Sequence, residues 1–402
     1  MPERQFITPI TGVKIGDIVE GKSILIRGQV LRPEGLACPR CQSTVFRVKA
    51  TPLRNLNHGV WGDRVVRLQL RVPKLLCRRC GRYFMTPIPG VLPRRRSTEQ
   101  FRLDVFHRHQ GGIPQTHLSR THAISASTVE RWYQDYVAYR VKELSGRSVP
   151  IVLGIDEHFF TRKKGYATTL VDLRNHKVFD VVLGRDESSL GAYLKRLPGR
   201  ERVQVVVMDL SETYRRIVQK YFPNAKIVAD RFHVVRWVNH QFLRTWAELD
   251  PVGRKNRGLL SLVRRHPWNL RDDQKLKLEA YFQEVPGLKP IYQFKNGLME
   301  LLLKKKQNRV EALQLIPQLL WHIEECLQSP LERFRELGRT LHRWKEAIAC
   351  MWRFTKNNGI TEGLHTKMEM LSRRAFGFRN FKNYRLRVIA LCGWDGVFTP
   401  RH

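Results

Sequence analysis

Over the first ninety residues, apolar positions alternate or come in short β-branched runs, with strands expected over 23–31, 45–50 and 65–73 between Gly and Pro breaks. Pro87, Pro89 and Pro93 form a linker that ends in Arg94-Arg95-Arg96. From Ser97 the period changes to that of a helix. Thr98 can cap a first helix bearing Phe101, Val105 and Phe106, which Gly111-Gly112 ends. Pro114 starts a second helix to about Thr121, and the turn His122-Ala123-Ile124-Ser125 leads to a third bearing Val129, Trp132, Tyr133, Tyr136 and Val137. These three helices predict a helix-turn-helix shape, with an ordinary three-helix bundle as the alternative.

The pattern shifts again at Val149. A short apolar strand at 151–155 precedes strands at 166–173 and 177–183, the latter two joined by the tight turn Arg174-Asn175-His176. A helix at 187–197, a buried strand at 202–208, a helix at 211–222 and a strand at 225–229 follow. A three-strand meander continued by alternating helices and strands predicts an α/β sheet of mixed directions. From 233 to about 354 the chain reads as helical and strongly basic, and 361–376 as helical too, the last helix opening after Asn357-Asn358-Gly359. No internal repeat or low-complexity tract is present.

Charge narrows the function. The 402 residues carry 72 Lys and Arg against 36 acids, a net +36 spread along the whole chain. A uniform positive field costs stability unless something neutralises it, so a polyanion is expected, and nucleic acid is the first candidate. A membrane surface fits less well: no apolar run approaches the roughly 20 residues needed to span, and no signal peptide is read at 1–12.

The seven cysteines fall into two groups. Cys38-x-x-Cys41 and Cys77-x-x-Cys80 have the spacing of a four-thiolate structural zinc site, each pair ending an expected strand (Leu36-Ala37 and Leu75-Leu76). The 35-residue gap between the pairs exceeds the usual zinc-ribbon gap, and a hairpin inserted at 51–63 would account for it. Disulfides or redox chemistry are the alternative. Cys326, Cys350 and Cys392 read as small core residues in a reducing compartment.

In so basic a chain the acids at strand ends are informative. Asp156 follows the strand at 151–155 and Asp209 the strand at 202–208. Carboxylates at the carboxyl ends of neighbouring strands repel unless a cation sits between them, and hard divalent cations prefer such oxygens. The competing reading makes both Asp residues helix caps or turn residues, and Asp209-Leu210-Ser211-Glu212 does resemble a helix start. Glu362 opens the last predicted helix and is a candidate third acid, with Glu369 two turns on as its competitor. Asp230 either caps the helix that carries His233 or joins His233 in a supporting role near the acids.

Four stretches in order, Gly154-Ile155-Asp156-Glu157, Val207-Met208-Asp209-Leu210-Ser211, Ala229-Asp230-Arg231-Phe232-His233-Val234 and Asn357-Asn358-Gly359-Ile360-Thr361-Glu362-Gly363, resemble the ISL-three family of bacterial insertion-sequence transposases. The tail Arg373-Arg374-Ala375-Phe376-Gly377-Phe378-Arg379-Asn380-Phe381 resembles the same family's C-terminal signature, and the resemblance runs over nearly the whole chain. It implies Asp156, Asp209 and Glu362 as the catalytic triad of a DDE-type enzyme. It implies a ribonuclease-H-like core, interrupted by an all-helical insertion between the second and third acids, and a zinc ribbon. It places Asp230 and His233 beside the active site, orienting a phosphate or metal-bound water rather than ligating.

The resulting expectation is a multidomain α/β protein: a zinc-ribbon-like domain at 1–93, a helix-turn-helix domain at 97–144, a core at 149–238, an all-α insertion at 239–355, and the rest of the core with the third acid at 356–402. Two magnesium or manganese ions at Asp156, Asp209 and Glu362 would serve cut-and-paste chemistry, and Cys38, Cys41, Cys77 and Cys80 would hold a structural zinc. Double-stranded DNA, as terminal inverted repeats and target, is the expected partner. Arg94, Arg95 and Arg96 would hold phosphates, and Ser127, Thr128, Glu130, Arg131 and Gln134 would line the exposed side of the recognition helix. At least a dimer is expected on DNA, at the nucleoid in a bacterial cytoplasm. The alternatives are a zinc and helix-turn-helix DNA-binding regulator with an inactive core, and a ribonuclease-H-like nuclease that cuts without strand transfer.

Overall fold

The structure, a computed structural model, describes residues 12–144, 147–354 and 359–393. The turn residues Asn357 and Asn358, nearly all of the 1–12 stretch read for a signal peptide, and the end of the predicted C-terminal segment lie outside them. The chain divides between Glu143 and Leu144 into two compact units.

The first unit opens with β1 (Val13–Glu20), β2 (Ile24–Val30), β3 (Phe46–Ala50), β4 (Leu53–Trp61), β5 (Arg64–Arg71), β6 (Lys74–Cys77) and β7 (Tyr83–Met85). One sheet has the order β1-β2-β5-β4 and buries Ile24, Ile26, Leu56, Leu68 and Leu70 on one face. A smaller sheet, β3-β6-β7, carries the cysteines. The long gap between the cysteine pairs is thereby explained, since the hairpin β4–β5 leaves the small sheet to pair in the larger one. The sequence pattern placed β2, β3 and β5 but missed β1, whose residues are all exposed or half-buried and carry no clean alternation, and the segment 51–63 expected as a hairpin is the single strand β4 and its turn into β5. Leu36-Ala37 is not a strand. Three helices follow, α1 (Glu99–Gln110), α2 (Gln115–His122) and α3 (Ala126–Leu144). Thr98 caps α1 by accepting from the Phe101 amide, Ser125 accepts from the Thr128 amide at the start of α3, and Phe101, Val105, Leu118, Val129 and Trp132 form their shared core.

The second unit is built on a five-stranded sheet of β8 (Val152–Thr161), β9 (Gly165–Asp172), β10 (Lys177–Leu183), β11 (Val205–Met208) and β12 (Lys226–Ala229), in the order β10-β9-β8-β11-β12. β8, β9 and β10 form an antiparallel meander, and β8, β11 and β12 run parallel. Helices α4 (Glu187–Lys195) and α5 (Glu212–Tyr221) connect the strands, and β11 is a continuous buried apolar run, as a strand covered on both faces must be, whereas the edge strand β12 begins with the exposed Lys226.

The helical part comprises α6 (Arg231–Leu249), α7 (Arg257–Arg264), α8 (Asp272–Glu284), α9 (Leu288–Leu303), α10 (Arg309–Gln328) and α11 (Glu332–Arg353). It carries a core of its own, with Phe242, Trp246, Tyr281 and Phe282, whereas α9, α10 and α11 share the core of the sheet. α6 runs unbroken past residue 238, where the sequence pattern had set a domain boundary, because Val234, Val238 and Phe242 keep one buried face along it. Arg231 locks the joint, donating from the buried end of α6 to the Lys304 carbonyl at 3.0 Å and the Met351 carbonyl at 2.7 Å.

Two last helices, α12 (Gly359–Arg374) and α13 (Phe381–Cys392), return to the sheet. Thr361 is wholly buried, and Gly154 on β8 is the residue that admits it: a Cβ there would lie 3.2 Å from Thr361 Oγ1 and 3.0 Å from Leu173 Cδ2. The stretch ending at Phe381 earns its sequence pattern by packing, as Phe160 of β8 meets Phe381 and Tyr384 edge-on or tilted. Arg385 on α13 forks onto the buried Asp180 of β10 at 2.6 and 2.7 Å, and Tyr193 donates to the same carboxylate. Among the described residues no helix is long and apolar enough to cross a membrane.

Candidate active site

Register assembles the acids. On the parallel strands Ile155 pairs with Met208 and Met208 with Ala229, so the next residues, Asp156, Asp209 and Asp230, stand abreast on three neighbouring strands. Asp156 lies inside β8 rather than after it, because the strand continues to Thr161 in pairing with β9. Neither Asp209 nor Asp230 acts as a helix cap. Ser211 caps α5 by accepting from the Tyr214 amide, and Asp230 holds the N-cap position of α6 without a side-chain cap hydrogen bond. Asp230, only 1% exposed, turns its carboxylate to His233, whose Nε2 lies 3.7 Å from Asp230 Oδ2 and 3.2 Å from Asp209 Oδ1. One ligand-type atom from each of Asp209, Asp230 and His233 falls within 4.8 Å of the others, two carboxylates and an imidazole close enough to share one metal ion, so His233 and Asp230 stand beside Asp209 whether they ligate or orient it.

Crowding shows in the electrostatics. Burial, then the Asp209 carboxylate, pushes the Asp156 carboxyl up to about 8. Asp156 accepts from the Glu157 amide at 2.8 Å. Across its other side His365 Nδ1 lies 3.6 Å from Asp156 Oδ2, and His365 Nε2 meets Thr169 Oγ1 at 3.0 Å. Thr169 also meets His158 Nδ1 at 2.9 Å, and His158 Nε2 meets the Tyr384 hydroxyl at 2.9 Å. Burial lowers His365 to about 4, and burial with the neighbouring His365 lowers His158 to about 3, so both imidazoles are neutral at pH 7. This row escaped the sequence reading. Its signal was there in spacing: His158 shares the Asp156 face of β8, and His365 lies three residues after Glu362 on a helix.

Glu362 is exposed in the first turn of α12, outside the Asp209 group but one turn ahead of His365. Glu369 lies two turns further, also exposed, with its carboxylate on Arg373 at 2.6 Å.

The ISL3 family model, described as transposase, matches residues 153–388, over half of the chain and spanning every acid above. The chain belongs to the ISL3 transposase family. It is similar to the transposase for insertion sequence element IS1001 of Bordetella parapertussis, 23% identical over 368 residues and 88% of each chain. It is also similar to the transposase for insertion sequence element IS1557 of two Mycobacterium tuberculosis strains, 25% identical over 281 residues and 62% of each chain.

In this family member the four cysteines converge as expected. Cys38 and Cys80 sulfurs are 3.6 Å apart and those of Cys41 and Cys77 3.5 Å apart. The two loops are alike: the Gln42 amide donates to the Cys38 carbonyl and the Gly81 amide to the Cys77 carbonyl, each at 3.0 Å, with φ of +59° and +69°. The amide of Cys80, then burial acting oppositely and the amide of Arg79, bring Cys77 down to about 6, while, against the Arg82 amide, burial and the Cys41, Cys38 and Cys77 thiols push Cys80 up to about 12, as crowded thiols sharing one site must divide. A closed set of four thiols fits zinc with no open position.

Some of the remaining sequence candidates share a surface, without Ser127 and Gln134. Arg94, Arg95 and Arg96, all exposed, line a pocket of about 310 Å³ with Ser125, Thr128 and Arg131 at the start of α3. Ser127 is exposed beside Ser125, whereas Glu130 accepts from Gln134 at 2.6 Å and from Gln115, which occupies the Gln134 amide within α3.

Proposed function

We propose that this protein is a DDE-type DNA transposase that binds the terminal inverted repeats of an insertion sequence and cuts and joins DNA at Asp156, Asp209 and Glu362. The observation that carries the reading is the alignment of Asp156 and Asp209 on adjacent parallel strands, with α12 docked against β8 so that Glu362 starts one turn from the imidazole touching Asp156. The meander followed by parallel strands supports a ribonuclease-H-like core, here divided by the helices between β12 and α12. The names of the relatives support transposition, and a net charge of +36 supports a polyanionic substrate.

Asp156, Asp209 and Glu362 would hold two magnesium or manganese ions, which when bound activate a nucleophilic oxygen and stabilise the leaving oxygen of a phosphodiester. The protein's own groups set the stage for that chemistry. Asp156 would release its proton to solvent for a metal to be held there, and neutral His365 would hold its position without adding charge. His233 fixes the orientation of Asp209, with Asp230 behind it. The same acids serve hydrolysis by water and attack by a freed 3′-hydroxyl, because only the nucleophile changes. Glu362 is preferred to Glu369 because it lies one turn from His365, which meets Asp156, whereas Glu369 lies two turns further on with its exposed carboxylate beside Arg373.

Residues 1–93 with a zinc at Cys38, Cys41, Cys77 and Cys80, and a helix-turn-helix at 97–144, would read the repeats. Arg94–Arg96 would hold phosphates beside the recognition helix α3. Two element ends must be held together, so the active species is at least a dimer on DNA, working in the bacterial cytoplasm. The test is a gel assay of the full chain with labelled DNA from the ends flanking its gene, in magnesium or manganese. Cleavage with joining to a plasmid is the expected result. Binding alone would leave a DNA-binding regulator, and cleavage without joining a nuclease.

A further inference from the structure

The second unit holds a groove of about 1130 Å³ that begins at Asp209 and His233 and runs between α6 and α11. It is larger than the roughly 300–1,000 Å³ of small-ligand pockets. Its wall on α6 is unusual for a protein surface. His233, Trp237 and His240 recur at helical spacing, each about one turn beyond the last, and Phe232 stands beside them 50% exposed. Trp237 and His240 lie nearly parallel, 5.6 Å apart at 24°. Cations line the same groove: Arg236, Arg264 and Arg343, all exposed.

Two polar atoms on the groove-lining residues have no hydrogen bond. Trp237 Nε1 is a buried donor without an acceptor, and Glu212 Oε1 a buried acceptor, 3.8 Å from Arg215 and 3.9 Å from Arg343, without a donor. Such groups cost free energy unless a ligand or water completes them. A base face fits the aromatic wall. A duplex keeps its base faces stacked inside, whereas an unpaired strand presents them to aromatic side chains and its phosphates to arginine.

We infer that this groove binds unpaired nucleotides of the DNA strand continuing from the acids, with Trp237 and Phe232 as stacking platforms and Arg236 and Arg343 as phosphate contacts. The inference rests on reading Asp209 as part of a DNA-cutting centre, but its binding test needs no cleavage. The full chain is titrated in EDTA, by fluorescence anisotropy, into a labelled oligothymidine of about 12 nucleotides and a blunt duplex of about 30 base pairs. Trp237→Ala is expected to weaken oligothymidine binding about 5- to 100-fold and duplex binding by less than about 2-fold, with Trp237→Phe restoring most of the loss. Phe232→Ala, at a half-exposed position outside the core, is expected to act in the same direction. Equal oligothymidine affinity in wild type, Trp237→Ala and Phe232→Ala overturns the inference, as does parallel loss of duplex binding in folded variants. If Asp156→Asn abolishes cleavage while these variants bind as wild type, the groove reading fails and the active-site reading stands. If Asp156→Asn still cleaves while Trp237→Ala loses the single strand, the groove stands and the centre has been misplaced.

Discussion

If the acids hold divalent ions as proposed, binding must displace a proton, and how much is set by Asp156. Its carboxyl is raised from 3.8 to about 8 by burial and then by Asp209, so ionising it in the metal-free protein costs about 6 kcal/mol relative to a free side chain. The side chain is only 15% exposed, so solvent screening removes little of this. At pH 7 a group titrating at about 8 is protonated about ten times in eleven, and at pH 9 about one time in eleven. Manganese binding should therefore release about 0.9 proton at pH 7 and about 0.1 at pH 9 from this group, and apparent affinity should rise about tenfold per pH unit up to 8 and then level. Because the folded value lies above the unfolded one, the stabilising contribution of Asp156 to the metal-free protein is complete below about 4. It is lost as pH climbs to 8, and saturating manganese should restore it. Calorimetric titration of manganese in two buffers of different ionisation enthalpy counts the protons, with Asp156→Asn isolating this group. Equal release at pH 7 and pH 9, or the same release in Asp156→Asn, would refute the assignment of a crowded, protonated Asp156.

Three further expectations are simpler. Cys77→Ser should take bound zinc from about one per chain to near none, while Cys326→Ser, in the core of the second unit, keeps it; atomic absorption after gel filtration decides, and full zinc in Cys77→Ser would break the four-thiolate reading. Asp180→Asn strips charge from a carboxylate that takes both arms of Arg385 and the Tyr193 hydroxyl, so it should cost about 3 kcal/mol and roughly 6–12 °C in Tm by calorimetry. Gly154→Ala sets a Cβ 3.0 Å from Leu173 and 3.2 Å from Thr361, which should lift α12 and reduce cleavage at least about tenfold for about 1–3 kcal/mol of stability; wild-type cleavage in a folded Gly154→Ala would show that the docking of α12 does not set the site.

What the sequence disclosed followed from repetition and spacing. A continuous apolar run marked β11, so the strand-end placement of Asp209 was legible, and the two C-x-x-C pairs marked the cysteine cluster. Caps were legible at Thr98 and Ser125, where the residue type matches the hydrogen bond made. Asp230 was ambiguous because an Asp before a helix looks the same whether it caps or faces a neighbouring strand; only the pairing of β12 with β11 turns it toward Asp209. β8 was read short because Asp156, Glu157 and His158 break its apolar run, yet these half-buried residues are where the strand continues past the sheet's covered centre. The contact of His365 with Asp156 joins positions about 200 residues apart and has no local signature. The pair Glu369–Arg373 and the step of one turn from Glu362 to His365 were likewise invisible in the sequence pattern, because both acids sit on one predicted helix.

The most direct test of the central claim is the rate of cutting terminal DNA by Asp156→Asn, Asp209→Asn, Glu362→Gln and Glu369→Gln beside the wild type, with DNA binding measured on the same preparations. The account predicts that the first three bind DNA as wild type but lose cutting by at least about a hundredfold, a loss of roughly 2.7 kcal/mol or more of transition-state stabilisation, while Glu369→Gln cuts within a few-fold of wild type. Wild-type cutting by Asp156→Asn or Asp209→Asn, or a loss in Glu369→Gln with Glu362→Gln intact, would contradict it.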